Sequence, residues 1–137
     1  MRVIAGSLGG RNFDSPPGHR THPMSEKVRG ALFNALGELD GQTVLDAFAG
    51  SGALGFEAIS RGANSVVLLD VDKAAADTIQ SNAKLLGVQR KTQIVRVGVR
   101  SWLTTQPDAK FDIVLCEPPY DDLQLPVLYD VAERAII

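Results

Sequence analysis

The sequence predicts an α/β fold in which a mostly parallel sheet carries helices on both faces. From Thr43 onward, short apolar runs alternate with stretches of helical periodicity. Two of the runs, Val66-Val67-Leu68-Leu69 and Ile113-Val114-Leu115-Cys116, are continuously apolar, as strands buried on both faces are. A complete G-x-G-x-x-G, Gly50 to Gly55, stands between the first strand and the first helix of this series.

The elements follow in order. Residues 2–13 alternate weakly around Gly6, Gly9 and Gly10, which predicts a short ribbon, and Asp14-Ser15-Pro16-Pro17-Gly18 is turn chemistry. We take 1–24 as an amino-terminal extension and 25–137 as the domain proper. Ser25 suits a helix cap and Glu26 the positive end of its dipole, so a helix is expected over 25–37. Its apolar positions Val28, Ala31, Leu32, Ala35, Leu36 and Leu39 form one stripe, expected to be buried. Strands are expected at 43–48, 65–70, 92–97 and 111–117, and helices at 53–61, 73–86, 100–106 and 122–135. Their crossovers should be right-handed.

Composition narrows the class. At 137 residues with 45% hydrophobic content, the chain suits one globular domain and has no room for two. No apolar run is long enough to span a membrane, and the first residues lack the apolar core of a secretory signal, so the expected compartment is the cytoplasm, with no membrane partner. Cys116 is the only cysteine, and with only His19 and His22 beside it neither a disulfide framework nor a metal site is expected. Net charge is −2, yet residues 1–37 carry Arg2, Arg11, Arg20, Lys27 and Arg29 against Asp14 and Glu26. Such a segment could meet a phosphate backbone; it could equally be a solvated surface.

The glycine loop has its chemical context. Gly50, Ser51 and Gly52 open a helix directly after a strand, and Asp70 ends the next strand twenty residues on, where an acid can hold a ribose diol. These features suit NAD and S-adenosylmethionine alike. Asp46 separates them. Four residues before the first glycine, a carboxylate would repel a pyrophosphate but attract the ammonium and sulfonium of S-adenosylmethionine.

After the fourth strand comes Glu117-Pro118-Pro119-Tyr120, at the end of the sheet where ligands meet open α/β folds. An exocyclic amine is a poor nucleophile because its lone pair is delocalised into the base. A carboxylate and a fixed backbone carbonyl can accept its hydrogens as positive charge develops. Two prolines stiffen that loop, and Tyr120 offers a face on which an extruded base can stack. Alone, the tetrapeptide would pass for an ordinary rigid loop. Following Asp46, the glycine loop and Asp70 in this order, it reads as the catalytic loop, with Glu117, Pro118 and Tyr120 as its working residues.

With these residues in view, the chain resembles the bacterial 16S rRNA guanine-N2 methyltransferases, relatives of the D/N-P-P-Y/F adenine-N6 enzymes. The likeness covers nearly the whole chain. It includes Arg2-Val3-Ile4-Ala5-Gly6 with Gly10-Arg11, Arg20 to Arg29 leading into Ala31-Leu32-Phe33-Asn34, Leu45 to Gly55, and Glu57-Ala58-Ile59-Ser60-Arg61-Gly62-Ala63. The resemblance implies a Rossmann-like, S-adenosylmethionine-dependent methyltransferase that releases S-adenosylhomocysteine and needs no metal. It implies an extension that faces RNA through Arg2, Arg11 and Arg20, and a stretch around Pro23, Met24 and Ser25 that closes over the donor. The implied substrate is 16S rRNA in an assembled or assembling small subunit, with ribosomal proteins as part of that surface.

Three departures stand out. Glu117 occupies a position usually held by Asp or Asn, one methylene shorter, which loosens the inference about base identity. Gly98-Val99 stands where the family often has an acid for the adenine ring. The family fold also continues beyond a fourth helix with further strands, so truncation there should leave an unpaired strand edge prone to self-association. Trp102 and Phe111 are expected in the core, Cys116 is expected to be a buried strand residue, and neither histidine is expected to be catalytic. The competing readings are adenine-N6 methylation of DNA or RNA, a silent module that binds donor or RNA without turnover, and, more distantly, an NAD-dependent oxidoreductase.

Overall fold

Side chains alternate faces along a strand, and here the alternation sorts the core into two layers. Val44, Val66, Leu68, Ile94, Ile113 and Leu115 point to one side, while Leu45, Val67, Leu69, Val95 and Val114 point to the other. The strands are β1 (Thr43–Asp46), β2 (Ser65–Asp70), β3 (Thr92–Arg96) and β4 (Ile113–Leu115). All pairings are parallel, in the order β3-β2-β1-β4. The structure is a computed structural model and describes residues 1–17, 24–118 and 125–137.

The helices are α1 (Glu26–Leu36), α2 (Ala53–Ser60), α3 (Lys73–Leu86), α4 (Val99–Thr105) and α5 (Leu125–Ala135). Residues of α1, α2 and α3 cover the first face, and α4 and α5 cover the second. The expected α/β architecture with helices on both faces is therefore present. Ser25 caps α1 by accepting the Val28 amide, and Asp72 caps α3 by accepting the Ala75 amide at 3.0 Å. Within 2–13, Arg2 and Asn12 form an antiparallel bridge, and Val3 and Phe13 enter the main core, where Phe13 meets Phe56 edge-on. Residues 2–13 thus pack into the same core as the strands and helices.

Several expectations need correction. The α1 stripe is buried only in part: Leu39 is in the core and Leu32 packs against it, but Val28 is 53% exposed, Leu36 is 38% exposed, and Ala31 and Ala35 are exposed, while Arg29 and Phe33 point inward. Periodicity identifies residues that share a face, but a buried ion pair from α1 to α2 selects the face that turns inward. Cys116 is exposed, because β4 ends at Leu115. Trp102 and Phe111 are core residues as expected, with ring centroids 6.0 Å apart. The edge beside β4 is partly met from within the chain. Phe111 donates its amide to Ala135 O and accepts that of Ile137, so the residues after α5 begin a parallel pairing just ahead of β4. His19, Arg20, His22, Pro23 and Tyr120 lie outside the described residues.

Candidate active site

Because every strand is parallel, Asp46, Asp70 and the start of the Glu117 loop arrive at one end of the sheet. Asp46 is the last residue of β1 and is 1% exposed. Its Oδ2 accepts the Gly55 amide at 3.0 Å, and its Oδ1 is buried with no hydrogen-bond partner among the described residues. Burial pushes this carboxyl up to about 7, against the Gly55 hydrogen bond, and the nearby charges of Glu117 and Asp70 add to the rise. Glu117 is half-buried, and desolvation raises its pKa as well.

The glycine loop is tied to both acids. Gly50 donates its amide to Asp70 Oδ2 at 2.8 Å, and Asp72 donates to Oδ1 at 2.9 Å, which fixes the end of β2 against the loop. Each oxygen of Asp70 retains a lone pair with which to accept a ribose hydroxyl. Gly52 adopts φ +83°, and a Cβ there would lie 2.6 Å from the Phe56 ring. At Gly55 a Cβ would come within 2.5 Å of Leu68 and 3.3 Å of Asp46 Oδ2. Glycine at these two positions lets α2 begin directly over the Asp46 carboxylate, its positive end toward the crevice.

Other predicted residues have their own placements. Ser51 is buried, and its hydroxyl accepts the Ala53 amide, so it braces the first turn of α2. Met24 packs against the core and Ser25 caps α1. Arg2 pairs with Glu26 at 2.9 Å. The Arg11 guanidinium donates to the carbonyls of Leu85 and Leu86 at the carboxyl end of α3. Pro118 is half-buried beside Glu117.

Sequence reasoning missed one cluster. Glu57 is fully buried and accepts the amides of Ile4 and Ala5 and the Arg61 Nε–H, while Arg29, 1% exposed, lies 3.7 Å away. Arg29 also donates to Arg2 O. This acid joins the ribbon, α1 and α2, and so positions the extension against the crevice-forming helix. Its one sequence signal is a lone acid in the otherwise apolar Ala53-Leu54-Gly55-Phe56-Glu57-Ala58-Ile59. Arg29 gives no such signal and reads in sequence as one more charge of the basic segment.

The donor chemistry can be tested against this site. A buried, unpartnered carboxylate oxygen with two further acids nearby favours a cationic ligand and disfavours a pyrophosphate, so the residues fit S-adenosylmethionine and not NAD. Fold and crevice together define a Rossmann-like methyltransferase of the S-adenosylmethionine-dependent class. A solved member of that class from Thiobacillus denitrificans, in complex with S-adenosyl-L-homocysteine, matches the fold with a TM-score of 0.72 at 18% identity, over 87% of this chain and 48% of that one. The chain belongs to the Cons_hypoth95 family, described as conserved hypothetical protein 95, whose model matches residues 1–137.

Relatives agree. YlbH of Bacillus subtilis is 37% identical over 137 residues, covering 98% of this chain and 74% of that protein. Ribosomal RNA small subunit methyltransferase D of Haemophilus influenzae is 33% identical, covering 99% of this chain and 68% of that one. A solved protein from Thermus thermophilus superimposes with a TM-score of 0.88 at 26% identity, over 100% of this chain and 80% of that one. The chain is thus shorter than these relatives.

Proposed function

We propose that the chain transfers the methyl group of S-adenosylmethionine to the exocyclic N2 of a guanine in 16S rRNA, on the assembled or assembling small subunit. The observation that carries this reading is the acid pair at one end of the sheet: Asp46 beneath the glycine loop, and Glu117 opening a Glu-Pro-Pro-Tyr loop close enough to raise its pKa. A relative named ribosomal RNA small subunit methyltransferase D supports the substrate class.

In this reading Asp46 holds the positive charge of the donor, Asp70 the ribose, and the turn at Gly50 and Gly52 leaves room for a close approach. Met24 and Ser25, with Pro23, cover the donor, and Arg2, Arg11 and Arg20 face RNA. The bound donor supplies a methyl group made electrophilic by its sulfonium. Glu117 accepts a hydrogen from the amine, and the backbone carbonyl of Pro118 accepts another, which favours a pyramidal nitrogen with its lone pair free. Tyr120 stacks on the extruded base, and the proton released at the end passes to water. Among the described residues no helix is long and apolar enough to cross a membrane. In this reading the enzyme acts in the cytoplasm, and no step of the transfer calls for a metal.

The test is Glu117→Gln. It should bind donor as the wild type does yet transfer methyl to rRNA at least about a hundredfold more slowly, the scale of losing one acid–base partner. Unchanged transfer would remove Glu117 from the chemistry.

A further inference from the structure

The two arginines of the extension that the structure describes are engaged within the protein, Arg2 with Glu26 and Arg11 with the α3 carbonyls. Three other cations lie next to Arg11 without such partners. Lys84 is in the last turn of α3, and Arg90 and Lys91 are in the single 3-10 turn (Gln89–Lys91) that leads into β3. All three are exposed, and among the described residues none makes an ion pair or a side-chain hydrogen bond.

Arg90 and Lys91 border a depression of about 370 Å³, and Lys84 stands two residues before its lining residue Leu86 on α3. Ile59 and Leu86, both buried, and the half-buried Leu8 give it an apolar floor; Ser7, Arg90 and Lys91 give it a polar, cationic rim. The helices that line it carry two acids, each paired with a cation, Glu57 of α2 with Arg61 and Asp77 of α3 with Lys73, and Asp14 is held through its backbone by Asn82 of α3. Because the strands are parallel, this depression lies at the opposite end of the sheet from Asp46 and Asp70. The length of β3, five residues or about 16 Å, separates the two ends.

We infer that this surface is a second RNA contact: Lys84, Arg90 and Lys91 bind backbone phosphates, and the apolar floor receives the edge of an unstacked nucleotide. The inference rests on the reading of rRNA as substrate. Charge separation within the molecule supports it. The catalytic crevice gathers Asp46, Asp70 and Glu117, which repel a polyanion, so binding energy for RNA must come from outside the crevice. Cations that are already exposed and unpaired release counterions on meeting phosphate without first breaking an internal contact. A folded RNA of ribosomal size can reach both ends of the sheet at once.

The test measures binding of the full chain to unmodified 16S rRNA across a salt series, for wild type and K84Q/R90Q/K91Q. The variant's log Kobs against log salt should be shallower by about 2, at roughly 0.7 to 0.9 per phosphate contact, with affinity down tenfold or more. Its melting temperature and its affinity for S-adenosylmethionine should equal those of the wild type. A second variant, R90E/K91E, should weaken binding further. An unchanged slope and affinity in both variants, with wild type still methylating rRNA, overturns the second contact and leaves the substrate reading standing. A wild type that neither binds nor methylates rRNA overturns both.

Discussion

Asp46 Oδ2 accepts the amide of Gly55 at 3.0 Å across the start of α2, while the other oxygen of the same carboxylate is buried without a partner among the described residues. One carboxylate therefore ties β1 to α2 and also keeps a buried, unsatisfied acceptor at the end of β1. The cost of burying it falls on the free protein, and a cationic ligand can offset it.

A pH dependence follows. The folded pKa of Asp46, about 7, exceeds its ordinary value of 3.8, so folding takes up a proton between those values. Stability from this group is greatest below pH 3.8, falls as pH rises toward 7, and is flat above, a loss of up to about 4 kcal/mol. Asp46→Asn should remove that slope in denaturation midpoints measured from pH 4 to 8. It should also weaken S-adenosylmethionine binding at least about tenfold at pH 8, where the wild-type carboxylate is ionised. In the wild type, calorimetry should show tighter donor binding as pH rises through 7.

Gly55→Ala places a methyl group against Leu68, itself fully buried, and beside the Asp46 carboxylate. Overpacking of this kind costs about 1–3 kcal/mol. Urea unfolding should register that loss, and donor affinity should fall with it, because α2 must shift away from Asp46.

Glu57→Leu leaves Arg29 charged and buried and strands the amides of Ile4 and Ala5. Breaking a buried ion pair from one side costs about 3–5 kcal/mol. The same denaturation series should show it, together with faster proteolysis within residues 1–17 as the ribbon loses its anchor.

The boundaries of β2 and α3 were legible to the residue, since the apolar run Val66–Leu69 is flanked by Ser65 and Asp70 and Lys73–Leu86 lies between an aspartate cap and Gly87. Asp46, Asp70 and the glycine loop were legible because parallel strands bring their ends together by topology alone. The inward face of α1 was not, because it is set by Arg29 reaching Glu57 in another helix, a contact between positions twenty-eight apart that leaves no local period. The engagement of Arg11 was hidden for the same reason: its partners are backbone carbonyls of Leu85 and Leu86, which no side-chain pattern reports.

Arg11→Ala should therefore destabilise the protein in the absence of any RNA, by about 1–2 kcal/mol, through loss of two bonds to the end of α3. Thermal melting without nucleic acid measures this directly. A melting temperature equal to that of the wild type would mean that the guanidinium is free.

The central claim is tested most directly by identifying the modified nucleoside. The chain is incubated with methyl-labelled S-adenosylmethionine and, in parallel, with unmodified small subunits, naked 16S rRNA and DNA, and each product is digested to nucleosides and separated. The account predicts label in N2-methylguanosine, strongest on the subunit or its rRNA. Label in N6-methyladenine on RNA or DNA, or donor binding with no transfer to any substrate, would contradict it.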